Sequence, residues 1–226
     1  MLGESFFDTA TRPELTQPTQ TLTALVSDLW PLKLALYFGL SAVFCLGYFG
    51  LQRFPFYPAR TLPLSSLDVA IGFHPWAVFI YQSVYLLIPM FPFLANTPEQ
   101  LFRYVRGFAW LCGASFLIFG LLPIDGPRPN VDSHNAMFQL MTSYDAKANA
   151  MPSLHLGLAV YSVLFGHQLS KAMVQLRRLV WIGVVWTLLI AYATLATKQH
   201  YAIDLPAGAV LAGLSHYLAW RTKEQP

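Results

Sequence analysis

The sequence predicts an all-α integral membrane protein: a bundle of six membrane-spanning helices with both termini on the cytoplasmic side. Three observations carry this. Of 226 residues, 55% are hydrophobic and only 11% charged, less than half the roughly 25% charged share of soluble domains. Uncharged stretches of spanning length recur along the chain. The basic residues also divide unevenly between the two sides those stretches define. A mean hydropathy of +0.47 excludes a disordered chain. Fourteen basic residues against eleven acidic ones are too few for a nucleic-acid-binding surface. Cys45 and Cys112 each lie in an apolar run, which excludes a disulfide framework and any cysteine-based zinc site.

Residues 1–30 carry Glu4, Asp8, Arg12 and Glu14, without a basic-then-apolar leader pattern. They are expected to form a polar tail and a short interfacial helix ending near Trp30. Residues 31–222 then form the membrane domain. Its spans are expected at 34–52, at 69–98 with His74 inside, and at 107–124. The fourth covers 148–170 with His155 and His167, the fifth 179–197, and the sixth 205–220, longer by a turn if it begins near His200. No strand alternation supports a β-barrel.

With the N-terminus inside, the inner segments hold Arg12, Lys33, Arg103, Arg106, Lys171, Arg177, Arg178, Arg221 and Lys223. The outer segments hold Arg53, Arg60, Arg128, Lys147 and Lys198. Nine against five favours cytoplasmic termini.

Ionisable residues at membrane depth are costly and point to function. Three clusters share the expected outer side: Arg128 within Gly126 to Asn130, Ser153 and His155 within Asn149 to His155, and Lys198, His200 and Asp204 within Thr197 to Asp204. His200 and Asp204 are four residues apart, so on a helix they share a face. A carboxylate there holds one imidazole nitrogen protonated and leaves the other as an attacking lone pair. Pro152 suits a first helical turn, which would aim Ser153 and the amides after it, beginning with Leu154, at an anion. Arg128 supplies a planar fork for phosphate oxygens and Lys198 a second charge. The combination reads as phosphoryl transfer: His200 attacks phosphorus, Asp204 orients it, and His155 protonates the leaving oxygen. The cations and amides would stabilise the transition-state charge, with no cofactor or metal required.

These residues resemble the type 2 phosphatidic acid phosphatase superfamily. Pro152, Ser153 and His155 match its Pro-Ser-x-His motif, His200 and Asp204 its His-x-x-x-Asp motif, and Arg128 and Pro129 the Arg-Pro end of its first motif. The resemblance implies a six-helix membrane enzyme with a histidine nucleophile. The outward-facing motifs at the ends of apolar helices lead to the expectation that it hydrolyses a lipid phosphate or diphosphate at the outer membrane face. Leu154, the run from Lys198 to Tyr201, and the segment from Leu67 through Trp76 and Tyr81 are similar to the branch containing inositol phosphorylceramide synthases. Two of the family's cations are replaced: Leu121 stands where a lysine is usual, and Ala193 and Thr194 where Ser-Arg is usual. Lys198 is expected to substitute for one of them.

Other readings stay open at this level. A zinc site of His155, His200 and Asp204, a serine hydrolase built on Ser153, and a non-catalytic lipid binder each use the same residues. Within the favoured class, phosphatase and lipid phosphotransferase differ only in the acceptor. His167 and His216 read as inner-end structural histidines. Asp125, Asp132, His134, Asp145 and Lys147 read as a solvated loop, and Asp68 as a cap or loop anchor. Phe54, Phe56, Tyr57, Trp76 and Tyr81 read as an interfacial belt or the lining of a lipid access route.

Overall fold

In the computed structural model, residues 21–129 and 134–221 are described. The expected polar tail over 1–20, together with Asn130, Asp132 and Lys223, lies outside them. Among the described residues the architecture is helical, with one isolated bridge between Arg60 and Ile124.

The interfacial segment becomes α1, Leu22–Ser27, whose first turn is capped by the Thr21 side chain. A left-handed Leu29 turns the chain into α2, Trp30–Arg53, which opens on Pro31 where a missing N–H costs nothing. The short α3, Ser66–Ala70, carries a reciprocal capping box between Ser65 and Asp68. The second apolar stretch is not one rod. It breaks into α4, Val78–Gln82, and α5, Val84–Met90, flanked by single 3₁₀ turns. Pro75, Pro89 and Pro92 remove backbone donors from this stretch, and the Trp186 indole donates to the hydroxyl of Ser83 at the break.

Then follow α6, Pro98–Leu121, capped by Thr97, and α7, Ala136–Tyr144, capped by Asn135. Next come α8, Leu154–Ala172, α9, Arg177–Ala196, and α10, Asp204–Arg221. Four segments are long and apolar enough to cross a membrane: Trp30–Arg53, Pro75–Leu94, Pro98–Leu121 and Val174–Ala196. Helices α8 and α10, expected as the fourth and sixth spans, do not meet that composition. They carry His155, Ser162, Ser170, Asp204 and Ser215, all buried, and α8 packs against α5, α6, α9 and α10. The polar groups sit where helices meet: α8 is enclosed by its neighbours, while α10 turns Asp204 and Ser215 toward α8 and α6 and leaves Val210, Leu214 and Tyr217 on its exposed face. The core between the helices is built from Phe91, Leu111, Tyr161, Phe165, Leu169 and Ile190, all essentially without exposure.

The beginnings of α8 and α10 touch at backbone distance. A Cβ on Gly208 would fall 2.2 Å from the Ser153 carbonyl oxygen, and one on Gly157 would lie 3.2 Å from the Gly208 carbonyl oxygen. The Ser153 amide donates to the Asp204 carbonyl at 3.0 Å. At the opposite end, Arg106 donates to the Ala219 carbonyl and Arg103 lies over the Trp220 ring. His216 sits there between Tyr161 and Trp220, and His167 is exposed.

Gly208→Ala should therefore force α8 and α10 apart. Thermal unfolding in detergent should show a loss of about 1–3 kcal/mol, whereas Gly113→Ala, facing open space, should leave stability at or slightly above wild type.

Candidate active site

The structure gathers the expected residues at one end of the bundle, where α8 and α10 begin. His155 occupies the first turn of α8 and is 8% exposed. Its ring stacks on Tyr81 with centroids 4.2 Å apart, and its Nδ1 shares a 3.0 Å hydrogen bond with the Tyr81 hydroxyl. Tyr85, one turn further on, meets the same imidazole edge-on at 6.0 Å. The opposite nitrogen, Nε2, is buried without a partner among the described residues. The reading of Tyr81 as part of an interfacial belt is overturned: the side chain is 1% exposed and clamps a histidine.

The His155 and His200 rings lie 6.1 Å apart, centroid to centroid. His200 is not on a helix, because α10 starts only at Asp204. A turn takes its place, in which the Tyr201 amide donates to Asp204 Oδ2 at 2.7 Å and the Asp204 amide to the Tyr201 carbonyl at 3.0 Å. The closest partner of His200 Nδ1 is the Ala150 carbonyl at 2.7 Å, while Asp204 Oδ2 stands at 3.5 Å. A carbonyl only accepts, so its bond assigns the proton to Nδ1 and leaves Nε2 with the lone pair. Asp204 has no exposure, and its Oδ1 has no partner among the described residues.

Ser153 is fully buried and serves as the N-cap of α8, accepting from the Leu156 amide at 3.4 Å. The amides of Leu154 and His155 are those that helical geometry leaves without an intrahelical acceptor.

Arg128 reaches the site but is not a free cation. Its Nη1 donates to the Asp145 carbonyl at 2.5 Å and its Nη2 stands 3.5 Å from Asp145 Oδ2. Asp145 is 5% exposed, not solvated as expected. It also accepts from Gln52 at 2.7 Å and Tyr48 at 3.3 Å on α2, because an acidic group in this apolar setting needs every donor within reach. Arg128 and His200 both lie within electrostatic range of His155.

Lys198 turns toward α3, donating to the carbonyls of Asp68 at 2.5 Å and of Ile71. Burial pushes its ammonium pKa down, opposed by the charge of Asp68. Two of its three donors are thus held by backbone. Leu121 is exposed and Thr194 bonds back to the Ala191 carbonyl, so neither offers a cation. Among the described residues no group of three or more His, Cys, Asp or Glu side chains is gathered as a metal site requires.

Asp68 acts as both cap and anchor. Oδ2 accepts from the Ser65 amide and hydroxyl, and Oδ1 from the Ala202 amide at 2.8 Å, which ties α3 to the turn carrying His200. Burial alone would raise its pKa, but the bonds from Ser65 and Ala202 and the charge of Lys198 hold it below the usual carboxylate value.

Tyr81, Asp145 and the Ala150 carbonyl are the components that sequence reasoning missed. The i,i+4 spacing of Tyr81 and Tyr85 beside a histidine-bearing helix was a usable signal. For a backbone carbonyl there is none.

A profile of the PAP2 superfamily matches residues 65–218, two thirds of the chain, with Arg128, Ser153, His155, Lys198, His200 and Asp204 inside the match. The protein belongs to the PAP2 superfamily, whose members are phosphoryl-transfer enzymes. Comparison with curated proteins and with solved structures returned no match.

Since the Asp68 pKa is lowered on folding, its contribution to stability should be complete above the ordinary value of 3.8 and be lost as pH falls through the lower folded value. The gap in thermal stability between wild type and Asp68→Asn should thus be full at neutral pH and close in acid.

Proposed function

We propose that this chain hydrolyses a lipid phosphate or diphosphate through a phosphohistidine on His200. The observation that carries the reading is the pairing of two buried imidazoles. The Nδ1 proton of one is held by a carbonyl and a carboxylate, while the other has an unpartnered nitrogen 6.1 Å away by ring centroid.

In the first step the His200 Nε2 lone pair forms a bond to phosphorus as the bond to the leaving oxygen breaks. That oxygen takes a proton from His155. In the second step water gives a proton to His155 and attacks phosphorus, the P–N bond breaks, and phosphate leaves. Asp204 supports the positive charge that develops on His200. The donors of Arg128 that Asp145 leaves open, Nε among them, and the Leu154 and His155 amides hold the equatorial oxygens, Ser153 keeps those amides in place, and the remaining donor of Lys198 adds charge at the rim. Tyr81 fixes the plane of His155.

In this reading α8 and α10 complete a six-span bundle with both termini cytoplasmic and the site on the extracytoplasmic face. The basic-residue bias supports that orientation, since Lys33, Arg103, Arg106, Lys171 and Arg177 belong to helix ends opposite the site.

A second reading, transfer of a phosphoryl-containing group to a hydroxyl acceptor, is favoured by one observation. With Arg128 paired to Asp145, Lys198 turned to α3, and Leu121 and Thr194 uncharged, the site holds little free positive charge. A singly charged phosphodiester donor needs less.

Phosphate release from purified protein, measured over a panel of lipid monophosphates, diphosphates and phosphodiesters with and without an alcohol acceptor, tests both readings. His200→Ala should abolish turnover, and normal activity in that variant would refute the nucleophile. His155→Ala should slow phosphohistidine formation about 10²–10⁴-fold from alkyl phosphates and far less from p-nitrophenyl phosphate, whose leaving group needs no proton, so p-nitrophenol should appear as a burst before the slowed hydrolysis of the P–N bond. Tyr81→Phe should show the same leaving-group dependence more weakly, and a chelator should leave all rates unchanged.

A further inference from the structure

A cavity of ≈ 310 Å³ runs between α2, α5 and α6. One end lies against the catalytic residues. Tyr85 lines it and touches His155, Leu158 lines it one helical turn after His155, and Tyr144 lines it beside Asp145. The other end lies at Lys33, in the first turn of α2. Along α2 the lining extends from Lys33 to Phe49, roughly 24 Å of helix at 1.5 Å per residue. Between the two ends the walls are mainly apolar, with Leu40 and Phe44 among them.

We propose that this cavity holds the single apolar tail of the lipid phosphate whose head group reacts between His155 and His200, and that Lys33 sets the tail length accepted. The inference rests on the functional reading above and names its substrate class as a single-chain amphiphilic phosphate. The occupant follows from continuity: Tyr85, at one end of the lining, meets the His155 ring at 6.0 Å, and His155 lies 6.1 Å from His200, so a chain attached to a phosphoryl group held between the two histidines starts beside the cavity mouth. The volume is at the lower end of the range for small-molecule pockets, which suits one chain rather than two.

Lys33 is a deliberate stop rather than a stray charge. It is 2% exposed, and its ammonium donates to the Leu25 carbonyl at 2.5 Å and the Phe93 carbonyl at 2.8 Å. Those bonds fasten α1 to the turn before α6 and put a cation where a longer chain would have to pass. Desolvating that cation against hydrocarbon is unfavourable. Transfer of a tail from bilayer to cavity gains little hydrophobic free energy, since both are apolar, so the cavity discriminates by length and shape.

The test uses n-alkyl monophosphates of increasing chain length at equal mole fraction in detergent micelles, with water-soluble p-nitrophenyl phosphate as the tail-less control. Wild type should show a rate maximum at one chain length. Ser41→Trp, which fills the cavity midway, should move the maximum to shorter chains and lower turnover of the wild-type optimum about ten-fold, leaving the control unchanged. Lys33→Met should extend acceptance to longer chains.

Independently of turnover, an alkyl phosphonate with a photoreactive diazirine at its tail end should cross-link to Leu36 or Tyr37, near the stop. A flat chain-length profile in all three proteins, or cross-links confined to the outward faces of other helices, would overturn the proposal. No turnover of any phosphate by wild type, together with cross-links at Leu36, would instead count against the functional reading and leave the cavity assignment standing.

Discussion

Everything at the candidate site depends on the backbone contact between the beginnings of α8 and α10. His155 starts one helix and His200 immediately precedes the other, so their separation is set by how closely the two helices approach. Gly208 places its own backbone against the Ser153 carbonyl, and the Ser153 amide accepts no compromise in register because it bonds to Asp204. The loop before α8 adds the Ala150 carbonyl, which reaches across to the His200 ring. Two imidazoles 45 residues apart in sequence are thereby fixed by peptide groups, which are stiffer than side chains.

The two histidines have different partners, and the difference suits different work. His200 has a carboxylate and a carbonyl on one nitrogen, both of which stabilise positive charge on the ring. His155 has a neutral phenol on one nitrogen and an aromatic face beneath it. A phenol orients without holding a proton as tightly as a carboxylate does, which fits a group that must give a proton up and take it back. The proposed assignment of nucleophile and acid–base thus rests on surroundings as well as on position in a motif.

Charge is rationed in this site. A buried arginine facing a buried aspartate, backed by Gln52 and Tyr48 from α2, is a structural clasp as much as an anion receptor. It joins α2, otherwise the most loosely packed of the long helices, to the loop that leads into α8. Lys198 is a clasp of the same kind between the α3 segment and the turn carrying His200. Breaking either pair would leave an uncompensated charge, so both positions are constrained by folding before any substrate arrives.

The sequence alone determined the helical class, four of the long apolar helices and the order of the three motifs, and it singled out His155, His200, Asp204 and Arg128 as candidates, because apolar runs and rare ionisable residues are visible without coordinates. Ser153 as a cap and Asp68 as an anchor were also legible, since capping is local. What it could not determine was anything carried by a backbone carbonyl or by side chains distant in sequence. Asp145 looks solvated until α2 brings Gln52 and Tyr48 to it, Tyr81 looks interfacial until α8 lays His155 upon it, and Lys198 looks like a free phosphate-binding cation until α3 engages two of its donors. Only tertiary packing decided these, because each depends on which surface a helix turns toward its neighbours, and neighbours are chosen by close contact such as that at Gly208 rather than by composition.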